Sequence, residues 1–143
     1  MANVIYRGPI QDEPQTVNLP VAGAYLPGIL VTSDDTELTV ATAADNENAL
    51  LVLSNARFLG QDVATAYASG DTGVAYTPRP NEKYQIRMAA ATYTIGQNLS
   101  VGASGYLVAA TTGDVVVARS GVAATLSAGD LADVTIANSF VLA

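Results

Sequence analysis

At 143 residues, half of them apolar but with two Phe and no Trp, the chain is long enough for one core, which must be built from Val, Leu, Ile, Ala and seven Tyr. It has neither histidine nor cysteine, which removes disulfides, the thiolate nucleophile, the commonest general base and the commonest transition-metal ligand, so a non-enzymatic chain without cofactor or metal is expected. The formal charge of −7 is uneven, with seven acids against Arg7 alone in residues 1–50 and six acids against five bases thereafter, a balance that disfavours nucleic-acid and anionic-membrane partners.

Residues 1–27 hold four of the six prolines (Pro9, Pro14, Pro20, Pro27) and a polar stretch from Gln11 to Gln15. Proline removes donors and pushes its predecessor toward extended conformations, so this segment reads as an extended arm preceding a single β-domain over 28–143. Val4, Ile5, Tyr6, Val17, Leu19 and Val21 are too many apolar residues for a disordered tail. They require burial, either against a partner or across the chain's own domain. The first residues show no basic segment followed by an apolar one, and no apolar run approaches a membrane span, so a soluble chain without membrane contact is expected.

From Gly28 onward, short apolar runs alternate with turn residues. The pattern predicts strands at about 29–33, 37–42, 50–54, 62–68, 73–77, 83–89, 98–101, 105–110, 114–119, 133–137 and 139–142. Turn signals such as Ser33-Asp34-Asp35, Ser69-Gly70-Asp71, Thr112-Gly113 and Ala128-Gly129-Asp130 separate them. Gly28–Ala41 aligns without gaps on Gly105–Ala118, an offset of 105 − 28 = 77, with identities at Gly28/Gly105, Leu30/Leu107, Val31/Val108, Val40/Val117 and Ala41/Ala118. Both segments read as hairpins, by duplication or by convergence. Between Ala43 and Leu53 helix and strand compete, with Asp45 as a cap and Glu47 in a first turn.

Few groups suggest chemistry. Gly102-Ala103-Ser104-Gly105 lacks the G-x-S-x-G spacing, and no histidine exists to activate its serine, so it reads as a β-turn. Asp34-Asp35-Thr36-Glu37 and Asp45-Asn46-Glu47-Asn48 offer hard oxygen ligands without calcium-loop spacing, and solvated turns are the expected reading. Arg79, Lys83 and Arg87 lack the aromatic interleaving of a nucleic-acid site.

The run from Tyr84 to Ala110 places an Arg-bearing strand before a small-residue turn, then a Gly before a polar-Leu step, then Ala103-Ser104-Gly105-Tyr106-Leu107-Val108. With Gly113–Ala118, Ala128-Gly129-Asp130-Leu131 and the strand from Asp133 to Ile136, this order resembles phage capsid cement, or head decoration, proteins over about 60 residues. The chain departs from that pattern at Ser120-Gly121-Val122-Ala123-Ala124, where relatives carry a Gly-x-Ala-Leu-Glu step. The resemblance implies an all-β, small β-barrel or β-tulip-like domain of short antiparallel strands. It further implies a non-catalytic virion protein on the outer capsid surface, stapling neighbouring copies of the major capsid protein as a homo-oligomer, with a trimer favoured over a dimer. Tyr, Phe and Arg are enriched at interface hot spots, which nominates Val4, Ile5, Tyr6, Arg7 and Pro9 of the arm, with Arg57 and Phe58 after the third predicted strand, as the partner interface. Removal of residues 2–20 is then expected to abolish capsid binding and spare folding. The competing reading is another phage structural module, of tail, fibre or surface layer, or a carbohydrate-binding β-module, the last disfavoured by the absence of Trp.

Overall fold

The computed structural model describes residues 4–45 and 49–143. Their strands are β1 (Thr16–Pro20), β2 (Leu30–Ser33), β3 (Leu38–Val40), β4 (Leu51–Ser54), β5 (Thr72–Tyr76), β6 (Lys83–Met88), β7 (Ala91–Tyr93), β8 (Asn98–Val101), β9 (Leu107–Ala109), β10 (Val115–Ser120), β11 (Ala124–Leu126) and β12 (Asp130–Val141). The helical elements among the described residues are single 3-10 turns. The all-β class expected from the sequence is therefore the observed one.

The strands form two units and a ribbon. An antiparallel sheet runs in the order β1-β5-β4-β2-β3, a small barrel closes in the order β10-β12-β6-β9-β8, and β11 pairs with β7 beside it. The open sheet is itself nearly closed, because Val21, one residue past β1, bridges to Leu38 of β3, and the Ala22 N–H donates to the Leu38 carbonyl at 2.9 Å. Alternation along its strands divides the side chains. Leu30, Val52 and Tyr76 face the barrel and merge with its core of Tyr84, Ile86, Met88, Leu99, Val101 and Leu107. On the other face Val31, Leu51, Leu53 and Ala75 pack with Val21, Leu38 and Tyr67 as a second core. Small residues on β5 make room for it: a Cβ at Gly73 would lie 2.7 Å from Val21 Cγ1 and 3.2 Å from Leu38 Cδ1.

Arg87 joins the two units. It is 9% exposed on β6, and its guanidinium donates through Nε to the Pro27 carbonyl at 2.8 Å, through Nη1 to Gly129 at 2.7 Å and through Nη2 to Val63 at 2.5 Å. Its own N–H donates to the Gly28 carbonyl at 2.8 Å. Burial lowers the guanidinium pKa, opposed by Tyr106 and Asp130. Three loops from both units thus end on one side chain.

A recurrent turn sets the strand starts. In Ala68-Ser69-Gly70-Asp71, Thr111-Thr112-Gly113-Asp114 and Ser127-Ala128-Gly129-Asp130 the N–H of the aspartate donates to the carbonyl of the first residue. Its carboxylate accepts the N–H of that same first residue in return, at 3.0, 2.8 and 2.9 Å. The glycine in third position takes φ of +90°, +95° and +88°, as a type II turn requires. In the β2–β3 hairpin Asp34 Oδ1 accepts from the Thr36 hydroxyl and from the N–H groups of Thr36 and Glu37. These bonds, the Thr36 hydroxyl first, hold its carboxyl down at about 2.

Several expectations are corrected. The second of the two repeated segments is not a hairpin: β9 and β10 do not pair with each other but flank β8 on either side, whereas β2 and β3 do pair. Residues 62–68 are not a strand, because Asp62 Oδ1 accepts the Ala64 N–H and the Thr65 hydroxyl and offers the backbone a turn in place of a ladder. The two predicted strands at 133–137 and 139–142 are one, β12, which absorbs the break as a register shift opposite Val116 and Ala118 of β10. β1, β7 and β11 were not expected as strands. Asp45 closes a 3-10 turn by accepting from Thr42, and strand β4 follows; Asn46, Glu47 and Asn48 lie outside the described residues.

Arg87→Lys is expected to destabilise the domain by about 2 kcal/mol or more, since one ammonium cannot serve three divergent carbonyls, and chemical denaturation measures it. The Asp34 carboxyl is expected to titrate near 2 by carbon-detected NMR. Because its folded pKa is depressed, the stability it contributes is present above the ordinary carboxyl pKa of about 4 and is lost as pH falls toward 2; Asp34→Ala removes that part of the acid dependence.

Candidate functional site

The site is the surface where the arm meets the loop after β4. β9 pairs with β6 through one residue pair, Met88 with Leu107, so most of that edge of β6 is left for another segment. The arm supplies it. Gln85 N–H donates to the Ile5 carbonyl at 2.7 Å, Arg7 N–H to the Lys83 carbonyl at 2.8 Å, and Gln85 Nε2 to the Val4 carbonyl at 2.8 Å. Farther on, β1 pairs with β5 from Thr16–Tyr76 to Pro20–Thr72. Of the two readings of the arm, the structure shows the one in which it lies across its own domain.

This placement sorts the predicted interface residues. Ile5 is 1% exposed and belongs to the core, which corrects its assignment to a partner surface: its side chain packs beneath the segment that edges β6. Val4 and Tyr6 are half-buried, while Arg7, Pro9, Arg57 and Phe58 are exposed. Tyr6 stacks in a triangle with Tyr76 and Tyr84, centroids 5.6 to 6.0 Å apart and rings tilted. Burial, and then Glu82, push the Tyr84 hydroxyl far up, and burial followed by Glu13 raises Tyr76, so neither phenol supplies a base near neutral pH. Arg7 stands 3.7 Å from Asp133, a half-exposed pair of little energetic weight. Residues 2–20 include Ile5, β1 and the segment that pairs with the edge of β6, so their removal is expected to destabilise the fold rather than spare it.

Glu13 brings the arm and the loop together. Its Oε1 accepts from Arg57 Nη2 at 3.1 Å and from the Tyr76 hydroxyl at 2.7 Å. Arg57 to Leu59 form a 3-10 turn whose ends are clamped. Ala56 N–H donates to Gln61 Oε1 at 2.8 Å, Asn55 Nδ2 donates to the Gln61 carbonyl at 2.8 Å, and Gln61 Nε2 donates to Thr65 at 2.8 Å. Held this way, Phe58 is 78% exposed and Leu59, which the sequence reading missed, is 76% exposed. Beside them lies a recess of about 540 Å³ lined by Ala56, Ala66, Tyr67 and Asp71. A second recess of about 580 Å³ separates the arm from residues 79–83, with the charged side chains of Asp12, Arg79, Glu82 and Lys83 among its lining.

Other exposed apolar side chains are Ile95, Phe140 and Val141; Phe140 lies under Arg119 at 5.6 Å from its ring centroid. Among the described residues no three carboxylates gather as a metal-ligand set. The carboxylates of Asp34 and Asp45 are engaged by neighbouring backbone N–H groups and threonine hydroxyls. The surface is part apolar and part charged.

Scans against protein-family models and curated proteins returned no match. Among solved structures, the chain is similar to the head fiber gp8.5 N base of bacteriophage phi29, with a TM-score of 0.59 and 16% sequence identity, over 87% of this chain and 95% of that one. At that identity the two chains share a fold, and it spans nearly the whole of both.

Proposed function

We propose that this chain is a structural protein of a phage head, bound to the outer surface of the capsid, where it staples neighbouring copies of the major capsid protein as a homo-oligomer. The observation that carries the reading is the fold held in common with a head fiber base over 87% of the chain, reached independently of the cement-protein resemblance in its second half. The surface geometry is consistent with it. Phe58 and Leu59 on one unit and Val141, beside the partly covered Phe140, at the end of β12 are two exposed apolar places, and a staple needs at least two points of attachment. The reading assigns no catalytic step and no cofactor. The tyrosine cluster is held protonated, and its role is to fix the arm.

A second reading rests on the same likeness: the chain is the base of a fibre, seated on the head without bracing it. The two differ in what they do to the shell. Phage heads lacking the protein are to be mixed with it, imaged by electron cryomicroscopy and heated. A staple is expected to add density spanning adjacent capsid subunits and to raise the temperature at which the shell disrupts. Added density with an unchanged disruption temperature selects the fibre base. Bare shells at saturating protein reject both.

A further inference from the structure

The clamped turn at 57–59 carries a statement about its partner's chemistry. The loop that carries two large apolar side chains, at 78% and 76% exposure, is clamped by the Asn55 and Gln61 bonds, so burying them orders the side chains without having to order the loop. The charges beside them are not balanced. Arg57 is neutralised by Glu13 at 3.1 Å, whereas Asp71 lines the adjoining recess and Asp62 follows Gln61, both exposed, both bonded to N–H groups or a hydroxyl of their own loops and, among the described residues, to no base. In a two-fold contact a second copy of the chain, at −7 overall, would bring the same two aspartates against them. The fitting occupant is therefore another protein, with an apolar depression ringed by Lys or Arg.

Resting on the head-protein reading above, we propose that Phe58 and Leu59 seat in an apolar depression on the shell protein whose rim is basic and faces Asp62 and Asp71. The shell supplies the positive side of this contact, and the patch does not join copies of the chain to each other. Association is then apolar in its holding power and salt-sensitive in its encounter.

The test uses the full chain and heads lacking it, assembled from the major capsid protein encoded in the same genome. Phe58→Ser with Leu59→Ser is expected to lower affinity for the heads by about tenfold or more. The mass of the free protein and its thermal midpoint should stay unchanged. Asp62→Asn with Asp71→Asn keeps an oxygen acceptor for each loop bond; it is expected to weaken binding roughly threefold and to flatten its dependence on salt. Equal affinity of the serine variant overturns the proposal, and so does a salt dependence that the asparagine variant leaves intact. A fall in free-protein mass on serine substitution assigns the patch to contacts between copies and also overturns it. Wild-type protein that leaves the heads bare at saturation removes the head-protein reading itself, a result distinct from heads that bind wild type and variants alike.

Discussion

The buried guanidinium of Arg87 is the constraint on which the relative placement of the two sheet systems depends. Burying a cation is costly unless its donors are satisfied. Here the satisfying groups are three backbone carbonyls, from the loop before β2, the loop before β5 and the turn before β12. Each of those loops belongs to a different stretch of the fold, so none can shift without stranding a donor. The same residue's backbone bonds to Gly28, which fixes where the chain leaves the arm and enters β2. β6 is covered on both faces as a result, with Gln85 and Arg87 buried on one side and Tyr84, Ile86 and Met88 on the other.

Much of this fold was legible in the sequence because its turns carry their own chemistry. The positions of β2 to β6, β8 and β10 follow from short apolar runs between Gly-Asp and Asp-Asp signals, and the latch between an aspartate and the N–H three residues before it explains why those signals work. What could not be read was pairing. Gly28–Ala41 and Gly105–Ala118 share residues at strand positions, yet one is a hairpin and the other opens to admit β8, since the choice of neighbour lies in the rest of the barrel. Strands β1, β7 and β11 were hidden for a related reason: they are short, largely exposed and rich in Thr, Ala or Pro, so their ladders rather than their hydrophobicity define them.

The candidate surface was half legible. The sequence nominated Arg57 and Phe58 for a partner interface, and the structure places both at the surface; it also marked the arm as a segment that must bury its apolar residues somewhere. It could not show that the somewhere is β6, because the need arises from a single-pair seam between β6 and β9 that only the assembled barrel reveals. Glu13 gave no sequence signal at all. Its role as the joint between arm and loop depends on Tyr76 arriving from β5 and Arg57 from the 3-10 turn after β4.

The way the first sheet ends has a consequence for crowding. Unpaired strand edges are templates on which identical chains add to one another. In this molecule the barrel has no edge, and Val21 and Ala22 occupy the outer side of β3 at Leu38. Gln15 and Val21 bond toward β5, so by alternation the outward backbone of β1 is that of Thr16 and Asn18, and Pro20 closes the strand with no N–H to donate. Copies packed side by side at high local density therefore find little edge on the first sheet or the barrel on which to polymerise, and meet there through side chains, in a geometry those side chains dictate.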